Sequence, residues 1–299
     1  MQRRHFLRTT ALTAGIFSLS PKDLLASLLQ QPAWKIRMLT KETGVFTERG
    51  GTILFTITKE GMVVVDTQFP EQSQHLIDEL KKQHTQPFRL VINTHHHGDH
   101  SSGNFAFKGI VPHVLAHKNS LENQQKSAAT QKTEDKQLYP DQTYTDTWCE
   151  KIGKEKICLY YFGAAHTNGD SVVHFTRSNI AHMGDLLFNR RHPFVDRGAG
   201  ANIKSWTDVL AKTVKKLDKK TKYVYGHSAE GYDITGTWED LEKFSDYLNN
   251  LLQFTDKEIK SGKTKEEFLK TTTLPFTTEW KGDGLQRPLG AAYDELTAK

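Results

Sequence analysis

The chain has 299 residues, of which 36% are apolar and 25% charged, with a formal net charge of +5. That is enough apolar material for one sizeable globular domain, and no repeats or low-complexity tracts interrupt it. The basic excess does not point to a nucleic-acid partner. Arg3, Arg4, Arg8 and Lys22 against Asp23 account for three of the five charges, so a chain cut after Ala26 carries +2. The lysines near 212–222 and 257–265 alternate with acidic and apolar residues, as on solvated helix faces.

The N-terminal run from Met1 through Arg3, Arg4 and Phe6 to Arg8 looks like a twin-arginine export signal. The apolar stretch Ala11 to Leu19 behind it is too short to span a bilayer. Residues 1–26 therefore read as a signal cleaved after Ala26, with an uncleaved, membrane-tethered form as the alternative. The expected address is periplasmic or otherwise exported, without a stable membrane span once the signal is removed. Residues 27–253 read as one domain and 254–299 as a helical extension packed on it.

Apolar runs predict strands near 35–40, 44–48, 52–57, 62–66, 89–93, 112–115, 156–162, 171–176, 179–183 and 222–225. Helices are predicted near 71–84, 117–128, 204–217 and 238–253, with shorter helical patterns at 255–260, 264–271 and 289–296. Residues 127–145, rich in Gln, Thr, Lys and Asp, read as a surface loop able to cap a cleft. Only two cysteines occur, Cys149 and Cys158. A two-residue turn at Gly153-Lys154 pairs Ile152 with Glu155 and, three steps back, Cys149 with Cys158. In that register an oxidising compartment permits a disulfide, whereas a slip of one residue removes it.

The chemistry concentrates between Thr94 and Ser101, where the chain reads Thr-His-His-His-Gly-Asp-His-Ser. The cluster follows the apolar run Arg89 to Ile92, at a strand end, and side chains two apart on an extended backbone point the same way. His95 and His97 therefore converge while His96 points away. Gly98 lets the chain turn, bringing Asp99 and His100 to face a second position. Imidazole and carboxylate are the ordinary ligands of zinc and similar divalent ions, and a catalytic site keeps one position open for water. Ser101, Ser102 and Ser171 lack any Gly-x-Ser-x-Gly setting and read as turn or capping residues.

The motif His95-x-His97-x-Asp99-His100 resembles the signature of the metallo-β-lactamase superfamily. Gly163-Ala-Ala-His166-Thr-Asn-Gly-Asp170, His182-Met-Gly-Asp185 and Tyr225-Gly-His227 resemble that family's later blocks, in its order, over roughly residues 35–245. The resemblance implies an α/β fold, the four-layer αβ/βα sandwich, with two metal ions at one edge. His95, His97 and His166 would hold the first metal, Asp99, His100 and His227 the second, and Asp185 would bridge. Two Zn2+ are implied, with Fe or Mn as alternatives. Met62-Val-Val-Val-Asp66-Thr67 resembles the family strand whose Asp lies behind the ligands and orients one of them. A hydroxide shared by the metals would attack a carbonyl, with Asp99 orienting it and moving its proton. Phe188, Arg190, Arg191 and His192, in the loop after Asp185, are candidate pocket residues.

The resemblance thus implies an exported dinuclear hydrolase acting on a small-molecule ester, lactone, thioester or amide. Metallo-β-lactamases generally lack a carboxylate at the position of Asp185, and many use a cysteine ligand. Acyl-homoserine lactonases place an oxyanion-stabilising tyrosine where this chain has Phe188. Glyoxalase II enzymes hold glutathione through a basic, tyrosine-containing tail, and Lys263, Lys265 and Tyr293 form no recognisable counterpart. The likeness is greatest to exported hydrolases of the superfamily, and weak side activity on β-lactams or lactones is expected of this chain. The alternative is a persulfide dioxygenase on the same fold, with one iron held by His95, His166 and Asp185, because ligand type alone does not exclude iron.

Overall fold

A computed structural model describes residues 33–298; the twin-arginine-like run and the Ala26 cleavage point lie outside them. Four strands run antiparallel: β1 (Lys35–Met38), β2 (Thr43–Thr47), β3 (Ile53–Thr58) and β4 (Gly61–Val65). The pairing then turns parallel. Helix α1 (Pro70–Gln83) leads to β5 (Phe88–Ile92), the short α2 (Gly98–Ser101) and a 3-10 segment lead to β6 (Val114–His117), and α3 (Lys118–Gln131) leads to β7 (Gln142–Tyr144).

A second sheet comprises β8 (Thr147–Ile152), β9 (Glu155–Tyr160), β10 (Val172–Phe175), β11 (Ile180–His182), β13 (Lys222–Val224) and β15 (Thr235–Gly236). Between β11 and β13 come the two-residue β12 (Phe188–Asn189) and α4 (Ile203–Lys216). After β13 comes β14 (His227–Ser228), which pairs parallel with β12. The chain closes with α5 (Trp238–Lys260), α6 (Lys265–Phe268) and α7 (Gln286–Thr297).

The apolar runs explain the layering. Strand β4 is buried along its whole length, so both of its faces are apolar. Val63 and Val65 point between the sheets and meet Leu159, Val173, Phe175 and Val224. Met62 and Val64 point outward and meet Leu76, Ile77 and Leu80 of α1. The outer face of the second sheet, including Ala181 and Tyr223, packs on Trp206 and Leu210 of α4 and on Leu241, Phe244 and Leu248 of α5. Helix, sheet, sheet and helix make the expected αβ/βα sandwich.

Two expectations change. Residues 127–145 are no cap: α3 continues to Gln131, and Gln142–Tyr144 form the edge strand β7, too short and too little buried to leave an apolar signal. The division at 253/254 falls inside α5, which runs unbroken to Lys260, and Leu289 and Ala292 of α7 join the same apolar layer as α5. Among the described residues no helix is long and apolar enough to cross a membrane.

The hairpin register is the expected one, Ile152 opposite Glu155 and Cys149 opposite Cys158, and the two cysteines form a disulfide across a Cα–Cα distance of 4.2 Å. Closing so short a loop contributes about 2–3 kcal/mol through the unfolded chain. Replacing both cysteines by serine is expected to lower unfolding stability by up to that amount without altering the metal content, as read by urea titration beside elemental analysis.

Candidate metal centre

The candidate site lies where strands of both sheets end. His95 and His97 follow β5, Asp66 follows β4, Asp185 follows β11, His227 follows β13, and His166 stands in the loop between β9 and β10. Helix α2 starts after His97 and carries Asp99 and His100. The carboxyl ends of parallel strands are the usual place for ligands in open α/β sheets, and here they bring together residues more than a hundred positions apart.

All seven residues proposed from the motif converge, in two groups. In the first, His97 Nδ1 lies 3.0 Å from His95 Nε2 and 2.9 Å from His166 Nε2. Asp185 Oδ2 stands 3.5 Å from His166 Nε2 and 4.0 Å from His95 Nε2. In the second, His100 Nε2 and His227 Nε2 are 3.4 Å apart, and Asp99 Oδ2 is 3.1 Å from His227 and 3.7 Å from His100. Asp185 Oδ1 faces this group, 3.0 Å from His100 and 3.4 Å from His227. The two oxygens of one carboxylate are thus divided between two ligand clusters.

The donor chemistry fits divalent metals. Imidazole nitrogens aimed at one another from about 3 Å have too few protons to join them all as hydrogen bonds, and Asp185 Oδ1 is buried without a well-aligned donor. Neighbouring glycines leave the room this needs. A Cβ on Gly226 would run into Asp185 Oδ1, and one on Gly51 into the His100 ring. Gly184, at φ +49°, sits against Thr94 where a side chain would collide.

Outer contacts hold these rings in place. Asp66 lies behind the cluster: its Oδ2 is 2.8 Å from His100 Nδ1, and its carboxylate also accepts from Thr94 N and Thr94 Oγ1, each at 2.8 Å. It adopts φ +61°, a left-handed conformation that Asp tolerates better than most residues. His166 Nδ1 donates to Phe194 O at 2.7 Å, and His97 Nε2 donates to Asp196 Oδ2 at 2.9 Å. Fixing the distal nitrogen in this way sets which nitrogen is free to bind. Sequence reasoning missed Asp196, which lies 99 positions from His97 in an irregular loop and carries no motif. His96 belongs to neither group; its Nε2 lies 3.8 Å from Asp196 and its ring centre 4.5 Å from that of His97.

Electrostatics separate the two groups. Burial lowers the pKa of His95 well below the usual imidazole value and that of His166 to about 4, so both are neutral and ready to bind. In the second group burial also disfavours charge, but Asp185 and Asp99 outweigh it, raising His100 well above the ordinary value and His227 to about 9. Against the same burial penalty, His227 and His100 hold Asp185 well below the carboxylate range, and His100 and His227 hold Asp99 at about 2.

The centre opens into a cleft of about 320 Å³ lined by His97, Asp99, Asp185 and His227 together with Phe188, Arg191, His192, Phe194, Asp283, Gly284 and Arg287. Three of the four candidate pocket residues are there. Phe188 stacks on the His227 ring with centroids 5.5 Å apart. Arg190 is the exception: it is buried away from the cleft, its Nε 2.7 Å from Glu279 and its guanidinium 4.6 Å from the Trp280 ring centre. Its partners lie in the irregular segment before α7, which no local pattern connects to residue 190. The same segment supplies Asp283 and Gly284, and the first turn of α7 supplies Arg287, so the tail forms one wall of the cleft, unforeseen from its mixed composition.

An αβ/βα sandwich with clustered His and Asp at its strand ends is the architecture of a metallo-hydrolase. A model of the metallo-beta-lactamase superfamily matches residues 47–227, and the chain belongs to that superfamily. Metallo-beta-lactamase IND-1 of Chryseobacterium indologenes is 27% identical over 247 residues, covering 80% of this chain and 97% of that protein. The type 2 metallo-beta-lactamase of Elizabethkingia meningoseptica is 24% identical, covering 67% of this chain and 78% of its own. Among solved structures, the metallo-beta-lactamase from Pontibacter korlensis matches with TM-score 0.61 and 23% identity over 73% of this chain and 99% of that one. The sec-alkyl sulfatase PisA1, as a double mutant, matches with TM-score 0.66 and 14% identity over 88% of this chain and 50% of that one. At such identities these structures share the fold.

Proposed function

We propose that this protein is an exported, dinuclear metal-dependent hydrolase, with zinc as the expected metal, acting on the carbonyl of a small ester, lactone, thioester or amide. The observation that carries the reading is the division of the Asp185 oxygens between two ligand groups. His95, His97 and His166 would hold the first ion and Asp99, His100 and His227 the second. When bound, two divalent ions supply Lewis-acid polarisation and make water acidic enough to be a nucleophile near neutral pH. Asp99, with a carboxylate held ionised and open to the cleft, would orient that water and take up its proton. Phe188 and Phe194 are the aromatic walls of an otherwise polar cleft.

Relatives named metallo-beta-lactamases put β-lactams on the list of carbonyl substrates to assay. The twin-arginine-like N-terminus supports export, and the Cys149–Cys158 disulfide suits an oxidising compartment. Elemental mass spectrometry on the mature protein, purified without added metal, tests the reading. About two zinc per chain supports it, whereas about one iron turns it toward the dioxygenase alternative. His227→Ala is expected to reduce the content to about one ion, because it strips the second group alone; an unchanged count would remove His227 from the ligand set.

A further inference from the structure

We propose that His192 donates a hydrogen bond to the carbonyl oxygen of the bound substrate, and that Tyr247 fixes it in the donor form. This rests on the hydrolase reading above. His192 lines the cleft together with Asp99, Asp185 and His227. Its Nδ1 lies 3.0 Å from Tyr247 Oη, while its Nε2 makes no hydrogen bond among the described residues. Tyr247 is only 2% exposed, and its hydroxyl has no other hydrogen-bond partner among the described residues.

That pairing decides the tautomer. A neutral imidazole carries one proton, on one nitrogen or the other. If it sat on Nδ1, the buried Tyr247 hydroxyl would be left with a hydrogen and nothing to receive it, which is the penalised arrangement. The hydroxyl therefore donates to Nδ1, and the imidazole proton resides on Nε2. Burial lowers the His192 pKa, which keeps the ring neutral at pH 7.

The donor is also held in place. The Tyr247 ring stacks against Trp280 on centroids 4.9 Å apart and against Phe244 at 6.0 Å. Pro193 restricts the backbone of His192 to extended conformations, and His192 N donates to Lys281 O at 3.4 Å. The cleft's other non-ligand donors, Arg191 and Arg287, are exposed at the rim on long side chains. Rate enhancement comes from donors set in position beforehand, which favours His192. Phe188, which stacks on His227, brings no hydroxyl to compete for the role.

The test uses the zinc-loaded chain with 15N-labelled histidine. Long-range 1H–15N correlation is expected to show His192 as the Nε2–H tautomer, and Tyr247→Phe is expected to give a mixture of tautomers at an unchanged metal count. With 4-nitrophenyl acetate and a chromogenic cephalosporin as probes, His192→Ala is expected to lower kcat by about a hundredfold, the usual loss for one such donor, with KM changed less than about threefold. Tyr247→Phe should lie between that variant and the parent. An Nδ1–H tautomer in the parent chain, or an undiminished kcat in His192→Ala, overturns the proposal. A parent chain that holds two metals and hydrolyses neither probe overturns instead the hydrolase reading on which it rests.

Discussion

Asp185→Asn is expected to lose metal from both positions together, and to lose more activity than the roughly 10–100-fold that removal of an outer partner costs. The substitution preserves volume and shape at a buried position, so the sandwich should persist. What changes is charge and donor type. One oxygen becomes an NH2 group, which offers hydrogens where a metal needs a lone pair, and the remaining oxygen is neutral. Whichever way the amide is turned, one group loses its shared ligand. The effect reaches further, because the negative charge that is lost faces both groups, 3.5 Å from His166 on one side and 3.0 Å from His100 on the other. Elemental analysis beside circular dichroism reads the outcome. A folded variant that retains two ions and full turnover would refute the bridging role.

The extent to which this was legible in sequence follows from how local each signal is. The His95-to-His100 cluster was readable because a strand end, a two-residue side-chain period and a glycine turn all lie within one short stretch. The disulfide was readable because hairpin register follows from the turn residues. Asp66 and Asp185 each stand at the end of an apolar run that marks a strand. Asp196, Asp283 and Arg287 had no such context. Asp196 and Asp283 reach the site from irregular segments and Arg287 from the first turn of α7, and the course of all three depends on distant packing, as Arg190's does when it turns from the cleft to Glu279 and Trp280. Strand β7 was missed for a related reason: an edge strand of three residues needs little burial and so shows little pattern.

The separation between the two ligand groups predicts a pH response with opposite signs in the metal-free and metal-loaded protein. In the first group, His95 and His166 are held neutral by burial, so an ion binds there without displacing their protons. In the second, His227 is raised from 6.5 to about 9 and His100 is raised as well, so an ion entering at neutral pH must release protons. Affinity at the second position should therefore rise at least about tenfold per pH unit between pH 6 and 8, while affinity at the first rises more slowly. In the metal-free protein the raised pKa of His227 works the other way: its stabilisation is complete below 6.5 and is lost as pH rises through about 9. Asp99, lowered from 3.8 to about 2, contributes above pH 3.8, and that contribution is lost as pH falls through 2. Free zinc at a thousand times its Kd stabilises the folded state by about 4 kcal/mol per site, or about 8–16 °C in Tm for a domain near this size. The gap between zinc-loaded and chelated melting curves should accordingly widen from pH 6 to pH 9, as the metal-free form loses stability while the loaded form binds more tightly. Scanning calorimetry with and without chelator at several pH values measures it. A gap that stays constant or narrows across that range would mean that the second group does not exchange protons for metal.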